Sequence, residues 1–374
     1  MNKYRVAIIG AGHRAGAHDR ESLEKGQSPG SHAWGYQQVE ECELVAAADP
    51  NTENLQRLCD LYDIPCCYAE YREMLAEVQP DIVSVCTTTR PRAEIIVYAA
   101  EHGVKAIYAE KALCASMAEA DRILETCKRT GIVFNQGTNR RFNTYYNTVR
   151  QAIVDGAIGE LAAATFHGQS LLMHGCSHVF DILLFLLGDP EVDFVQGKLG
   201  VYEEWGEKWL PAGRKFFNAP IFKEAENRFE NDQTLGVNDF TADPGTDWAF
   251  IQFHNGTTGH LISSPSLFDF MVLGSMGQIL CSEETPEFLL RQRRERFSRA
   301  FDTRPIELPP PEDSTINIIR DLIQALSNGK PTKCSVEIAH RGMEIALALA
   351  ESHVHDGAKV TMPLANRTLY VPNH

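Results

Sequence analysis

Short apolar runs alternate with segments of helical spacing through the first third of the chain. Val6 to Ile9 is continuously apolar and stops at Gly10. Glu43 to Ala48, Asp81 to Cys86, Val104 to Ala109 and Ile132 to Phe134 repeat the pattern. Runs this short, apolar without alternation, fit strands buried on both faces. Between them Glu53 to Tyr62, Ala93 to His102 and Ser116 to Thr130 read as helices, and Gly103 and Gly131 close the last two. This βαβ rhythm predicts an α/β fold with a parallel, doubly wound sheet over residues 1–134.

The rhythm changes after about Asn135. A helix from Asn143 to Asp155 ends at Gly156-Ala157-Ile158-Gly159. Strand candidates then follow without helices between them: Leu161 to Leu172, Val192 to Tyr202, Trp248 to His254, Thr258 to Ser263 and Phe268 to Leu273. Residues 135–374 are therefore expected to form an α+β domain with an open mixed or antiparallel sheet, closed by amphipathic helices at Asp313 to Ser327 and Val336 to Val354. The stretch 203–243 has little regular pattern. Its Trp205, Trp209, Phe216 and Phe217 argue against disorder. Two readings stand: a lid that offers aromatic rings to a substrate, or a satellite cluster pinning a long loop.

The formal net charge of −15 excludes nucleic acid and anionic membrane as expected partners. No apolar run is long enough to span a bilayer, and a strand begins almost at the first residue, leaving no space for a signal peptide. The ten cysteines form no disulfide framework and are read as reduced thiols of a cytoplasmic protein.

Candidate chemistry gathers at the carboxyl ends of the expected strands, where open α/β sheets bind ligands. In Gly10-Ala11-Gly12-His13-Arg14-Ala15-Gly16 the first glycine permits a sharp turn out of the strand, and the second leaves space for a pyrophosphate. A helix opening there would present its N–H groups and dipole to the phosphates. His13 and Arg14 lie in the same turn. Asp49, ending the second strand, can accept from ribose hydroxyls and would repel a 2′-phosphate, so NAD is favoured over NADP. Arg14 is the one local cation that could counter this. The inserted loop Gly26 to Ser31 explains the long spacing to Asp49.

Thr87 and Glu110-Lys111 end two further strands. A lysine there can hold a substrate hydroxyl and favour its alkoxide, or can be a surface lysine paired with its neighbour. Arg140 and Arg141 can meet cofactor or substrate, or bridge the domains structurally. His174, His178 and Asp181 would share a face if one helix carries all three. A histidine titrating near ~6.5 suits acid–base work. A metal triad and a plain helix start capped by Ser177 are the alternatives. Gly175 argues against the continuous helix, and no metal is expected.

In this order the motifs resemble those of the glucose–fructose oxidoreductase and inositol dehydrogenase family (Gfo/Idh/MocA). Gly10-Ala11-Gly12 with Asp49-Pro50 is similar to its cofactor turn. Glu110-Lys111-Ala112 is similar to its Glu-Lys-Pro motif, with alanine for proline. Asn139-Arg140-Arg141-Phe142 resembles the entry to its second domain. His178-Val179-Phe180-Asp181 resembles its His-x-x-Asp segment, with His174 where the family carries aspartate. Arg92 stands where many members have histidine.

The resemblance implies a Rossmann domain holding NAD through Gly10, Gly12, His13, Arg14, Asp49, Thr87, Glu110 and Lys111. It implies a second domain that binds substrate through Arg141, His174 and His178 and assembles homodimers or homotetramers. The implied activity is NAD-dependent oxidation of a carbinol of a sugar, polyol or glycoside, with Lys111, His178 and His174 as the catalytic set. Two alternatives remain: a glycoside-processing enzyme that recycles tightly bound NAD, and a non-catalytic NAD-binding sensor.

Overall fold

A computed structural model describes residues 3–200, 240, 243–264, 268–282, 287–296 and 298–372. The aromatic cluster with Trp205, Trp209, Phe216 and Phe217 lies outside the described residues. The chain divides into two compact units: Met1–Cys114, Glu119–Thr144 and Pro310–His340 form the first, and Ala115–Ala118, Tyr145–Pro309 and Arg341–His374 the second.

The first unit is built on six parallel strands: β1 (Tyr4–Ile9), β2 (Cys42–Ala48), β3 (Cys66–Tyr68), β4 (Ile82–Val85), β5 (Ala106–Ala109) and β6 (Val133–Gln136). Their order across the sheet is β3-β2-β1-β4-β5-β6. The doubly wound sheet is thus present, with its reversal of strand order between β1 and β4, where such sheets bind ligands. The interior strands read as unbroken apolar runs because both faces are covered: Val6, Ala7, Ile8, Ile82 and Val83 are fully buried.

One expectation fails after β1. No helix opens directly from the glycine turn; residues 12–18 are a series of turns, and the first helical pieces are Arg20–Glu24 and His32–Gln37. Gly16, at φ +123°, holds a backbone that no helix can include, and a Cβ there would lie 2.8 Å from the Tyr62 ring. The inserted loop Gly26 to Ser31 is tied down: the Gly30 carbonyl accepts from Arg14 Nη1 (3.0 Å) and from the Thr315 hydroxyl (2.7 Å).

Thr315 belongs to the helix Ser314–Asn328, which lies against β6. Asn135 Nδ2 donates to the Ile318 carbonyl (3.2 Å) and to Asp321 Oδ2 (3.1 Å). The helix also packs closely on His32–Gln37, where a Cβ on Gly35 would meet Thr315 Cγ2 at 2.8 Å. The reading of all cysteines as reduced needs one correction. Helix Thr52–Tyr62 brings Cys59 to Cys67 of β3, and the two are bonded.

The second unit carries a nine-stranded sheet among the described residues. Its strands are β7 (Leu161–Gly168), β8 (Val192–Gly200), β9 (Gly245–Phe253), β10 (Thr258–Ile262), β11 (Phe268–Gly274), β12 (Gly277–Ser282), β13 (Glu287–Arg293), β14 (Phe301–Pro305) and β15 (Val360–Thr361). The order is β14-β13-β12-β11-β7-β10-β9-β8-β15, antiparallel except for the β7–β10 pair. This is the mixed sheet expected for an α+β domain.

Helices cover one face. On Val336–Val354, Ser352 Oγ accepts from the Gly197 amide of β8 (3.0 Å), and Leu349 sits where a Gly197 Cβ would be. Elsewhere on the sheet Trp248 and Ile262, paired directly across β9 and β10, remain 37% and 49% exposed. Among the described residues no helix is long and apolar enough to cross a membrane.

Candidate active site

In the first unit the sheet places Gly10, Asp49, Thr87 and Glu110-Lys111 along one edge, at the carboxyl ends of β1, β2, β4 and β5. Gly10 has φ +93°, and a Cβ on it would come within 2.9 Å of the Cys86 carbonyl carbon and the Thr87 nitrogen. Glycine is required there because the chain crosses close over the neighbouring strand. At Gly12 the reverse holds: an added Cβ meets nothing within 4 Å, so open space lies above the turn. The buried Thr87 hydroxyl has no hydrogen-bond partner. Asp49 bridges into the turn, accepting from the Ala11 amide (2.5 Å) and the Asn51 amide (2.7 Å). Open space over a glycine, an unsatisfied hydroxyl and a carboxylate at adjacent strand ends are features that fit a dinucleotide. His13, in the turn, is exposed and stacks obliquely on His18.

Arg14 is committed elsewhere in this edge. Its Nε donates to Glu110 Oε1 at 2.7 Å, and His32 Nε2 donates to the same oxygen at 3.1 Å. With Nε2 so engaged, His32 Nδ1 accepts from the Ser84 hydroxyl (2.5 Å), and the ring stacks on Tyr108 with centroids 3.8 Å apart. Burial alone would raise the Glu110 carboxyl, but Arg14 and then His32 outweigh it and hold it well below the usual carboxylate range. Burial lowers the His32 imidazole, so it stays neutral. Sequence reasoning missed His32. Its only signal is a histidine beside the inserted loop, and nothing local points it at β5.

Lys111 follows Glu110 directly. It is half-buried, and its amide donates to Glu110 Oε2 (3.2 Å). The Lys111–Ala112 peptide bond is cis. Arg92, in the first turn of the helix Thr89–Glu101, donates from one Nη to the Thr87 carbonyl and from the other to the Ala112 carbonyl. Arg141 is 1% exposed and donates to the Lys333 carbonyl at 3.2 Å.

His174 and His178 belong to the second unit, and the structure separates their settings. The helix spans Cys176–Leu187 with Gly175 as its N-cap, so His178 and Asp181 share a helical face and His174 does not. A Cβ on Gly175 would fall on Ser170 Oγ, so a side chain there would have to displace that hydroxyl. Ser177 is not the cap; its hydroxyl donates back to the His174 carbonyl (3.4 Å). His174 is exposed, half-buried His178 stands one turn along, and Asp181 is buried. The loop before the helix is pinned by Asp243, whose two oxygens accept from the Met173 and His174 amides at 2.7 Å each. Asp243 too was missed, since it lies about 70 residues away in the chain. Among the described residues no group of three or more His, Cys, Asp or Glu is placed to hold a metal ion.

Comparison with known proteins agrees with this edge. Residues 4–138 match the model of an oxidoreductase family with an NAD-binding Rossmann fold, Gfo/Idh/MocA. The chain is 22% identical to the myo-inositol 2-dehydrogenase of Thermotoga maritima over 329 residues, which covers 86% of this chain and 92% of that protein. It is 27% identical to the D-glucoside 3-dehydrogenase of Escherichia coli K12 over 233 residues, covering 56% of this chain and 62% of that one. Among solved structures, a levoglucosan dehydrogenase in complex with NADH and levoglucosan superposes with a TM-score of 0.70 at 18% identity, over 97% of this chain and 100% of that one. At this identity the last likeness is one of fold.

Proposed function

We propose that the chain, whose residues 4–138 match the Gfo/Idh/MocA oxidoreductase model, belongs to that family and is an NAD-dependent dehydrogenase acting on a carbinol of a sugar, polyol or glycoside. The observation that carries the reading is the first unit's edge, where space over Gly12, the unpartnered Thr87 hydroxyl and Asp49 stand together with Lys111 at the end of the next strand. A nicotinamide dinucleotide bound there would supply the hydride acceptor. Gly10, Gly12, Asp49 and Thr87 would hold it. The Lys111 ammonium would hold the substrate oxygen and favour its alkoxide. His178 would take the hydroxyl proton. His174 would offer a hydrogen bond to a substrate hydroxyl, without a fixed negative charge, where the family carries an aspartate, and Arg141, held by the Lys333 carbonyl, would support the substrate side.

Arg14 supports NAD over NADP. Its guanidinium lies against Glu110, past the end of β5, while Asp49 ends β2. Those strands are three spacings apart, about 14 Å across the sheet. No side chain near Asp49 in the sequence replaces it as a partner for a 2′-phosphate. We assign the first unit, the expected 1–134 together with 135–144 and 310–340 and without 115–118, to the cofactor, and the second unit to substrate and assembly. The exposed Trp248–Ile262 pair is the surface we assign to a homodimer or homotetramer contact. A cytoplasmic setting suits the eight free cysteines.

The test is NADH formation by the purified protein with a panel of inositols, glucosides and anhydrosugars. Turnover with at least one is expected. Failure with all of them, in protein that binds NAD, contradicts the reading.

A further inference from the structure

The loop that carries Lys111 is held on both flanks. Before it, the Glu110 side chain is fixed by Arg14 and His32. After it, the Ala112 carbonyl is fixed by Arg92. The second contact is the less usual one. Arg92 is 3% exposed, and its guanidinium donates to two backbone carbonyls, Thr87 O and Ala112 O, rather than to a carboxylate. Those carbonyls follow β4 and β5, which are neighbours in the sheet. Past a strand's end a carbonyl has lost its ladder partner, and a buried one must find another donor. A planar guanidinium presents a rigid fork of N–H groups and can serve two carbonyls at once; an ammonium is a point charge and cannot match that fork. Burying the cation is costly, and burial pushes its pKa down to about 10, which still leaves it charged at neutral pH.

We propose that Arg92 is a positioning residue: by gripping the carbonyls of Thr87 and Ala112 it locks the two loops after β4 and β5 to each other and so fixes the Lys111 side chain relative to the Thr87 side of the cofactor edge. The proposal rests on the reading of Lys111 as the group that holds the substrate oxygen. Arg92 touches neither substrate nor cofactor in this scheme and acts through the backbone on either side of Lys111.

Three variants test it: Arg92→Gln, which can donate to one carbonyl; Arg92→Lys, which keeps the charge without the fork; and Lys111→Met as the reference. Melting temperature, NAD affinity by fluorescence titration, kcat and KM are measured for each. The rate of Lys111 acetylation in cofactor-free protein is followed by mass spectrometry, a readout independent of turnover. Arg92→Gln should lower kcat about 100-fold, the scale of a misplacement near 1 Å. KM and NAD affinity should change far less, and Lys111 acetylation should change its rate. Arg92→Lys should recover part of the loss.

Folded Arg92 variants with wild-type kcat and unchanged Lys111 acetylation, beside an inactive Lys111→Met, would overturn the positioning role and leave the lysine assignment standing. An active Lys111→Met would instead overturn the reading on which the proposal rests. If neither Arg92 variant folds, Arg92 is a stability residue and the positioning role is likewise overturned.

Discussion

At the scale of single residues, charge placement decides more than charge count. Glu110 ends a buried strand, and its carboxylate is useful only because Arg14 and His32 converge on it. His32 gives a signed pH prediction. Burial lowers its folded pKa below the unfolded value of about 6.5. The unfolded chain then binds more protons than the native one below that pH, so stability is fully present above it and is lost as pH falls. Glu110, also lowered on folding, adds a loss of the same sign only below about pH 4.3. Urea midpoints should therefore drop between pH 7.5 and 5.5 with a slope of at most about 1.4 kcal/mol per pH unit from His32, and His32→Gln should flatten it. An unchanged slope in the variant would refute the buried neutral state. Cofactor choice is set at this scale as well. NAD should bind at least about tenfold more tightly than NADP, near 1.4 kcal/mol, and Asp49→Ala should narrow the gap. Equal affinities in the wild type would remove Asp49 from that role.

At the scale of elements, the two glycines of the first turn should behave as opposites. Gly10→Ala forces a side chain onto the backbone at Cys86 and Thr87 at φ +93°, and should cost about 1–3 kcal/mol of stability. Gly12→Ala enters open space; it should leave the melting temperature unchanged and weaken NAD binding. A Gly12→Ala protein with full NAD affinity would mean that no phosphate approaches the turn.

Much of this element was legible in the sequence. Buried parallel strands announce themselves as short apolar runs, and the glycine spacing marks the turn. The absent helix after β1 was not legible, because it turns on the backbone angle of Gly16 and on the packing of Tyr62 against it. Strands β12 to β14 also escaped notice. Strand β12 alternates buried and half-buried positions, β13 buries only Phe288 and Leu290, and β14 is mostly exposed, so none presents the unbroken apolar run that makes a strand visible. His174 and His178 were legible as a pair, and Gly175 as the obstacle between them. The carboxylate that pins their loop, Asp243, was not, because it acts from across the chain.

At the scale of the whole molecule, the chain revisits its first unit late: Ser314–Asn328 closes over β6 through Asn135, a contact spanning some 180 residues that no local pattern signals. The exposed Trp248–Ile262 pair predicts self-association. Trp248→Asp should shift the protein to a smaller species in sedimentation, with the melting profile of the first unit retained; an unchanged species would free that surface from any assembly role. Everything else rests on the chain being a dehydrogenase whose lysine at the end of β5 acts on the substrate oxygen. The most direct measurement is NADH formation by wild type and Lys111→Met on the same inositol, glucoside and anhydrosugar panel, with NAD affinity titrated in both. Wild type should turn over at least one substrate, and Lys111→Met should lose about 100- to 1000-fold in kcat while binding NAD as before. Near wild-type turnover in Lys111→Met would contradict it.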